Sequence, residues 1–313
     1  MRSTLPVLEH GSVVTVGSFD GIHLGHRRVL DTVVQRAAAE RRAGIAVTFE
    51  PHPAAVVRPE AAPLRLTTGG ERQELLAQSG LDYAVFLEFN REMAHWTPAE
   101  FVRRVVLDRC QCRVLVIGPD HHFGRDREGG EALLREVGRA EGFVVEVVPP
   151  MELDGEAVSS TRIRRLVAAG KLPEAARCLG RPYAVSGVVV RGAARGRQLG
   201  VPTANLSVPE GKQLPPDGVY AVRVEWGGGI AEGMLNQGPR PTFDDGRRLL
   251  EAHLFDFEGD LYDRMLRITW VERLREVRKF DSMVALQEQV ERDRQAARTA
   301  LAAASAAKDH NRV

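Results

Sequence analysis

The chain has 313 residues, of which 43% are hydrophobic and 27% are charged, a composition typical of a folded globular protein and not of a disordered one. A chain of this length favours two domains over one. Its 43 Lys and Arg residues nearly balance 42 Asp and Glu residues, which argues against nucleic acid or a membrane surface as the main partner.

Cysteine usage and hydropathy set the expected compartment. Cys110, Cys112 and Cys178 are too few for a disulfide framework, and the Cys-x-Cys pair lacks a second pair at zinc-finger spacing. No apolar stretch reaches 18 residues, and the N-terminus has no long apolar leader segment. We therefore expect a protein of the reducing cytoplasm without structural zinc and without a membrane partner.

The N-terminal half alternates strand and helix patterns. A first strand is predicted at 13–16; Gly17 follows it, and a helical pattern begins near His23. Further strands are predicted at 45–49, 83–87, 113–118 and 143–148, with helices at 70–79, from 97, at 129–141 and at 160–169. This order predicts a Rossmann-like α/β domain with a parallel sheet and helices on both faces. Gly17, His52 and Gly118 each follow a strand, so we expect their loops to line one crevice.

The second half has short apolar runs separated by turn residues, with no helical pattern between them. Residues 183–275 predict a closed or nearly closed antiparallel β-barrel, because strands without covering helices must hide their edges. We place the boundary near residue 180 and assign one domain to 1–180 and the other to 183–313. Apolar residues recur at helical spacing from Ser282, which predicts a long amphipathic C-terminal helix packed on the barrel.

The segment 17–26, GSFDGIHLGH, has the composition of a phosphate-binding loop. Its three glycines allow the backbone to approach phosphate closely, and the helix that follows supplies free N–H donors. His23 and His26 share one face of the helix start, so both can donate hydrogen bonds to phosphate oxygens in a transition state. The alternative is a common glycine-rich turn with a capping or surface histidine; the two histidines together favour the phosphate site.

This segment resembles the HxGH signature of the nucleotidylyltransferase superfamily. Its form GxFDGxHxGH is similar to that of the prokaryotic bifunctional riboflavin kinase/FMN adenylyltransferases. The resemblance implies that the loop binds the ATP of an adenylyl transfer and that the two histidines carry its catalysis. The residues to which it assigns ATP binding are Gly17, Phe19, Asp20, His23, Gly25 and His26.

The segment 158–164, VSSTRIR, is similar to the late motif of the same family. The similarity implies ATP binding by Ser159, Ser160, Thr161 and Arg162. On residue chemistry alone, the hydroxyl residues open a helix and Arg162 can bind phosphate through two hydrogen bonds. An ordinary N-cap beside a surface arginine is the alternative for this segment taken by itself.

Two other segments of the N-terminal half resemble the flavin-binding parts of the family. They are TFEPHP at 48–53 and the loop at 118–130. The resemblance implies flavin binding by His52, Asp120, Phe123, Gly124 and Arg127. The loop departs from the family pattern at His121 and His122, where aromatic, Arg or Thr residues are usual. Histidine is planar and can stack or donate hydrogen bonds; a metal site at this pair is the weaker alternative, because no third ligand is evident nearby.

A second phosphate-binding pattern lies at 191–206, RGAARGRQLGVPTANL. Its glycines and arginines suit a loop that wraps a phosphate chain. Thr203 and Asn205 offer neutral oxygens two residues apart, which suits a Mg²⁺ ion held chiefly by nucleotide phosphates. A solvated hairpin loop is the alternative on composition alone.

This run resembles the riboflavin kinase signature GRxLGxPTAN. The resemblance implies ATP binding by Gly192, Arg195, Gly196, Arg197, Thr203 and Asn205, with Mg²⁺ on the last two. It also implies that Glu251, in LLEAHLFDFEGDLY, is the catalytic base. A carboxylate on a strand facing the loop can accept the proton of the ribityl 5′-hydroxyl as that oxygen attacks the γ-phosphate. A solvent-facing strand glutamate is the alternative.

The motifs together predict an enzyme that converts riboflavin to FMN in the barrel and FMN to FAD in the α/β domain. ATP, riboflavin, FMN and FAD are then substrates and products, and Mg²⁺ is the expected cofactor. One alternative is a kinase whose first domain has reduced activity or another acceptor. Another is a flavin-sensing or nucleic-acid-binding regulator without turnover, against which the intact motifs and the balanced charge argue.

Overall fold

Five parallel strands form the centre of the N-terminal half. We analysed a computed structural model, which describes residues 5–119, 130–191, 203–239 and 248–310. The strands are β1 (Ser12–Val16), β2 (Ala43–Glu50), β3 (Tyr83–Glu88), β4 (Cys112–Ile117) and β5 (Val144–Val147). Their order in the sheet is β3-β2-β1-β4-β5. The parallel sheet predicted from the alternating pattern is confirmed.

Helices cover both faces of this sheet. The helices of this part of the chain are α1 (Leu24–Glu40), α2 (Pro53–Val57), α3 (Gly69–Ala77), α4 (Arg91–Ala94), α5 (Pro98–Phe101, continued as a π-helix over Val102–Arg109) and α6 (Glu131–Glu141). Adjacent residues of β1 face opposite sides, as strand geometry requires. Val13 packs with Val29 and Val33 of α1, whereas Val14 belongs to the cluster that contains Phe101 of α5.

A short hairpin and two helices follow the sheet. The hairpin pairs β6 (Glu152–Leu153) with β7 (Glu156–Ala157), and the helices are α7 (Ser160–Ala168) and α8 (Leu172–Leu179). The chain divides into two compact units, Met1–Arg162 and Ile163–Val313, so the division falls inside α7. The boundary that we place near residue 180 stays a prediction.

The second unit is built on a closed barrel of six antiparallel strands, which confirms the predicted architecture. The strands are β8 (Ala184–Val190), β9 (Ala204–Ser207), β10 (Gly218–Trp226), β11 (Gly229–Pro239), β12 (Arg248–Leu254) and β13 (Met265–Arg275). Their order is β10-β11-β12-β9-β8-β13, and β13 also pairs with β10, which closes the barrel. Closure leaves no unpaired strand edge between these six strands.

The C-terminal helix α9 (Met283–His310) covers part of the outside of the barrel. Ala297, Ala300 and Leu301 of α9 pack against Ala221 of β10 and Met234 of β11, and all five are buried. The predicted amphipathic helix is confirmed in this position. Of the helices in the described residues, none has the length and apolar character needed to cross a bilayer.

Candidate active sites

The loop after β1 has an unusual backbone at the carboxyl edge of the parallel sheet. Phe19 and Ile22 have φ values of 47° and 37°, and Gly21 has a φ of 86°. Positive φ is costly for residues with a side chain, so the surrounding contacts must hold this conformation. Gly17 and Gly25 allow close packing, since an added Cβ would lie 3.3 Å from the Phe19 ring and 3.2 Å from the His23 ring, respectively.

Asp20 holds this loop from inside the protein. Its side chain is 1% exposed, and its carboxylate accepts hydrogen bonds from the backbone N–H groups of Leu66 (3.1 Å) and Thr67 (3.0 Å). The Thr67 hydroxyl in turn accepts a hydrogen bond from the Gly21 N–H (3.0 Å). A carboxylate with these partners shapes the loop, so any role of Asp20 in ATP binding is through the backbone that it positions.

Arg72 of α3 supports the same loop, and no sequence motif marks it. Its side chain is 1% exposed, and its guanidinium donates hydrogen bonds to the carbonyl oxygens of Ser18 (2.9 Å) and Phe49 (2.7 Å). It also pairs with Glu50 at 2.5 Å. Burial lowers the pKa of Arg72 from its ordinary value, while the charge of Glu50 acts in the opposite direction. Arg72 therefore joins the carboxyl ends of β1 and β2.

The two histidines lie together at the N-terminus of α1, as the sequence predicts. His23 is the N-cap residue, and its Nδ1 accepts a hydrogen bond from the His26 N–H at 3.3 Å. The two rings stack with centroids 3.7 Å apart, and the Phe19 ring meets the His26 ring edge-on at 5.3 Å. A helix N-terminus carries partial positive charge and free N–H groups, so this arrangement suits phosphate oxygens.

The N-terminus of α7 contacts the same loop. The Ser159 hydroxyl caps the helix by accepting a hydrogen bond from the Arg162 N–H (3.2 Å), and the Ser160 hydroxyl donates to the Asp20 carbonyl oxygen (2.9 Å). Thr161 is exposed. Two motifs that are 140 residues apart in the sequence thus meet, and the second adds further hydroxyl groups to the candidate ATP site.

Arg162 has partners that its sequence motif does not indicate. Its guanidinium donates to the carbonyl oxygens of Leu153 (3.0 Å) and Glu156 (2.9 Å), and it pairs with the Glu156 carboxylate at 3.1 Å. In this conformation Arg162 holds the β6–β7 hairpin. Arg164, also within the 158–164 motif, lies four residues after Ser160 and so shares its face of α7.

The candidate flavin residues are only partly within the described residues. His52 is the N-cap of α2 directly after β2, and its Nδ1 accepts a hydrogen bond from the Ala54 N–H at 3.1 Å. Since β1 and β2 are adjacent and parallel, His52 lies at the same sheet edge as the loop at 17–26. The residues predicted in the 118–130 loop lie outside the described residues: Asp120, His121, His122, Phe123, Gly124 and Arg127.

The barrel brings the candidate kinase residues together on two neighbouring strands. Glu251 of β12 pairs in register with Asn205 of β9, so the two side chains project from the same face of the sheet. Thr203, two residues before Asn205, precedes β9 and follows the same alternation. Asn205 is buried and Glu251 is partly buried. The phosphate-loop residues Gly192, Arg195, Gly196 and Arg197 lie outside the described residues.

Metal-ligating side chains are dispersed in the part of the chain that the structure describes. No group of three His, Cys, Asp or Glu side chains there is arranged to hold a metal ion. Cys110 and Cys112 are buried, and burial raises the pKa of Cys110 to about 12 and that of Cys112 further still. Both are thiols at neutral pH and pack in the core of the first unit.

Comparisons with known proteins match both halves. A family model described as FAD synthetase matches residues 6–162, and one described as riboflavin kinase matches residues 179–301. The bifunctional riboflavin kinase/FMN adenylyltransferase of Pseudomonas fluorescens is 42% identical to the chain, over 95% of the chain and 96% of that protein. The chain belongs to this family.

Relatives in this family cover nearly the whole chain. The protein of the same description from Escherichia coli K12 is 36% identical over 93% of each chain. A crystal structure of a protein described as a macrolide-efflux protein from Streptococcus pneumoniae superposes with a TM-score of 0.82, at 33% identity over 93% of this chain and 94% of that chain. The similarity in sequence and in structure therefore spans both units of the chain.

Proposed function

We propose that the chain makes both flavin cofactors: the barrel phosphorylates riboflavin to FMN, and the N-terminal unit adenylylates FMN to FAD with release of pyrophosphate. The observation that carries this proposal is that two separate polar sites lie in two compact units, each matched by its own family model. We take the domain limits to be 1–180 and 183–313 and the compartment to be the cytoplasm.

Adenylyl transfer requires that the two substrates are positioned for attack and that the charge on the phosphate oxygens is stabilised. An oxygen of the FMN phosphate attacks the α-phosphorus of ATP, a new P–O bond forms, and the bond to the pyrophosphate leaving group breaks. His23 and His26 donate hydrogen bonds to the phosphate oxygens as their negative charge increases. The backbone at Gly17, Phe19 and Gly25 surrounds the phosphates, with Asp20 fixing its shape.

The residues at the start of α7 complete the ATP site of this unit. Ser159, Ser160 and Thr161 supply hydroxyl groups and the N-terminus of α7 supplies N–H donors, and Ser160 already contacts the loop at Asp20. When ATP binds, Arg162 releases the Glu156 carboxylate and pairs with the ATP phosphates instead, since both partners are anionic. For the flavin we assign His52 and, from the family resemblance, Asp120, Phe123, Gly124 and Arg127.

Phosphorylation of riboflavin requires a base beside the attacking hydroxyl. The ribityl 5′-oxygen attacks the γ-phosphorus of ATP, its proton passes to the Glu251 carboxylate, and ADP leaves. Among the described residues, the Glu251 side chain has no hydrogen bond or ion pair, so its carboxylate is available for this proton. We assign binding of the ATP phosphates to Gly192, Arg195, Gly196 and Arg197, on the basis of the family resemblance.

Magnesium fits the start of β9. Thr203 and Asn205 place neutral oxygens on one face of the strand, next to the Glu251 position, and neutral ligands suit an ion whose other ligands are phosphate oxygens. When bound, the ion neutralises charge on the transferred phosphoryl group. The protein's own part in this arrangement is to hold the two oxygens beside the base.

A second candidate differs only in the acceptor of the first unit. The sequence carries His121 and His122 where the flavin loop of the family usually has other residues. An adenylyltransferase domain with another acceptor, or with weak activity toward FMN, would fit this departure. It predicts formation of FMN without FAD.

The test uses purified protein, riboflavin and MgATP, with products separated over time. The proposal predicts FMN followed by FAD. His26→Ala should lower FAD formation by at least 10²-fold and leave FMN formation intact, because only the adenylyl-transfer donors change. Glu251→Gln should lower FMN formation by about 10²–10⁴-fold and spare FAD made from supplied FMN. FMN as the sole product of the unaltered chain would support the second candidate instead.

A further inference from the structure

Three aromatic side chains are in contact along the candidate ATP loop. The Phe19 ring meets the His26 ring with centroids 5.3 Å apart and planes at 67°, and the His26 ring stacks on that of His23 with centroids 3.7 Å apart. His26 is therefore the member that contacts both of the others. We call Phe19, His26 and His23 the three-ring cluster.

The side chain of Phe19 lies inside the protein. It is 2% exposed and belongs to a buried apolar cluster with residues of α1, β2 and α3. The other buried members of this apolar cluster are Ile22, Leu30, Ala46, Leu75 and Leu76. A ring with so little accessible surface has almost no area to offer to ATP, so only the backbone of Phe19 can line the phosphate site. The ring must therefore serve the loop in another way.

The chain keeps the Phe19 ring in this position at a cost. Phe19 has a φ of 47°, in the left-handed region that is unfavourable for residues with a side chain. An added Cβ at Gly17 would lie 3.3 Å from two atoms of the Phe19 ring, so a larger residue at position 17 would displace the ring. The Phe19 carbonyl oxygen also accepts a hydrogen bond from the Ile22 N–H at 3.3 Å. The loop thus fixes where the ring lies relative to the start of α1.

His26 must hold a defined orientation to donate a hydrogen bond to a phosphate oxygen in the transition state. A side chain in the first turn of a helix has several rotamers, and they aim its N–H groups in different directions. An edge-on contact with a fixed aromatic ring favours one arrangement of the imidazole by up to about tenfold. A leucine would fill similar space but has no ring quadrupole, so it would not select that arrangement.

We propose that Phe19 is a positioning residue of the adenylyl transfer, whose buried ring holds the His26 imidazole in the orientation that donates to phosphate. This inference rests on the proposed role of His26 in that reaction. It divides the work of Phe19 between its two parts. The backbone lines the phosphate site, and the side chain acts through His26 without contacting the substrate.

The kinetic test is Phe19→Leu in the full-length chain, with FAD formation measured from supplied FMN. Leucine leaves the same backbone in the loop, so we expect KM for MgATP to stay within about twofold. We expect kcat to fall by about tenfold, because the imidazole then spends most of its time in other orientations. His26→Ala, which removes the donor altogether, should show the larger loss of at least 10²-fold.

A spectroscopic test reports on the orientation directly. The chain has nine histidines, and ¹³C labelling of their Cε1 atoms gives one NMR signal for each ring. The His26 signal is identified by its loss in His26→Ala. Phe19→Leu should move this signal, because the ring current of Phe19 no longer acts on the imidazole. The signals of His10, His52 and His95, which belong to the same unit, should keep their positions and so show that the unit is folded.

Phe143→Leu is the matched control. Phe143 is 5% exposed and lies in the cluster that contains Ile45 and Val47 of β2, whereas the cluster of Phe19 contains Ala46. Adjacent residues of a strand face opposite sides, so the two phenylalanines pack on opposite faces of the sheet. The control removes the same atoms from the core of the same unit, and it should leave both kcat and the His26 signal unchanged.

Three outcomes would overturn the inference. The first is a Phe19→Leu variant whose kcat and His26 signal match those of Phe143→Leu. The second is a moved His26 signal with full kcat, which would show that the contact does not serve catalysis. The third is a raised KM for MgATP with full kcat, which would assign the Phe19 ring to the shape of the ATP site alone. Phe19→Met, whose flexible side chain adapts to the same space, replaces Phe19→Leu if the latter does not fold.

His26→Ala, measured alongside, separates this failure from failure of the proposed function. If His26→Ala loses FAD formation while the Phe19 variants behave like the control, the role of His26 stands and the positioning role of Phe19 is rejected. If His26→Ala keeps its FAD formation, the role of His26 itself is rejected, and the inference is rejected with it.

Discussion

The guanidinium of Arg72 is buried in the first unit and forms hydrogen bonds at the ends of two strands. It donates to Ser18 in the loop after β1 and to Phe49 at the end of β2, and it pairs with Glu50. A lysine keeps the charge but offers one ammonium in place of a planar fork, so it cannot reproduce this set of hydrogen bonds. The shape of the candidate ATP loop therefore depends on an arginine at this position.

We predict that Arg72→Lys lowers FAD formation from FMN by about tenfold or more, mainly through a higher KM for MgATP. The reason is that the loop at 17–26 loses a hydrogen bond that fixes its backbone. Steady-state kinetics with supplied FMN measures this change. FMN formation by the same preparation should stay unchanged, because the barrel is a separate unit.

Arg65→Lys is the control for Arg72→Lys. Arg65 pairs with the same Glu50 carboxylate at 2.9 Å but is 24% exposed, whereas Arg72 is 1% exposed. We expect nearly unaltered kinetics from Arg65→Lys. Equal losses in the two variants would show that the Glu50 ion pair matters and that the carbonyl contacts of Arg72 do not.

At the level of residues, the sequence predicted proximity only where the residues are close together in the chain. His23 and His26 are three residues apart on one helix, so their proximity follows from helix geometry. Arg72 could not be identified in this way, because its partners at Ser18 and Phe49 are 54 and 23 residues away and α3 has the pattern of a polar helix. The contacts of Arg162 could not be predicted either, because its partners lie on a hairpin that is too short to show a periodic pattern in the sequence.

At the level of elements, α9 is attached to the barrel by a few small and apolar side chains. Leu301 is fully buried and packs with Ala297 and Ala300 against β10 and β11. Asp293 adds a bidentate ion pair with Arg275 of β13, with N–O distances of 2.7–3.0 Å. The apolar contacts provide most of the stabilisation, since a partly exposed ion pair contributes little.

We predict that Leu301→Ala lowers the free energy of unfolding of the barrel by about 2–5 kcal/mol, because it leaves a cavity under α9. Urea unfolding followed by the fluorescence of Trp226 and Trp270, in a Trp96→Phe background, reports on this unit separately. Val284→Ala is the control: Val284 is 63% exposed on the same helix, so its loss should change the free energy by less than about 0.5 kcal/mol. Equal effects of the two substitutions would contradict the packing described for α9.

The elements that the sequence predicted are those with a clear period and sufficient length. The five strands of the parallel sheet, α1 and α9 fall within a few residues of their expected positions. The sequence did not predict α2, α4, α8 or the β6–β7 hairpin, which have between two and eight residues per element. Elements this short are stabilised by tertiary contacts and caps more than by their own pattern.

At the level of the whole molecule, two units with separate cores carry the two candidate sites. The first core lies on both faces of the parallel sheet, and the second fills the barrel. The order of the motifs along the chain predicted an α/β part followed by a barrel, because the motifs fall within two different periodic patterns. Residues 192–202 of the second unit and 120–129 of the first lie outside the described residues, so the roles assigned there rest on resemblance.

If the two reactions take place at separate sites, two variants that each lack one activity should complement each other in a mixture. His26→Ala should produce FMN but no FAD from riboflavin, and Glu251→Gln should produce neither product unless FMN is supplied. We predict that an equimolar mixture converts riboflavin to FAD after a lag, because FMN released by one chain is bound by the other. Product analysis over time, at several protein concentrations, measures the lag, which should shorten as the concentration rises. FAD absent from the mixture, while each variant keeps its own single activity, would mean that FMN does not pass between chains.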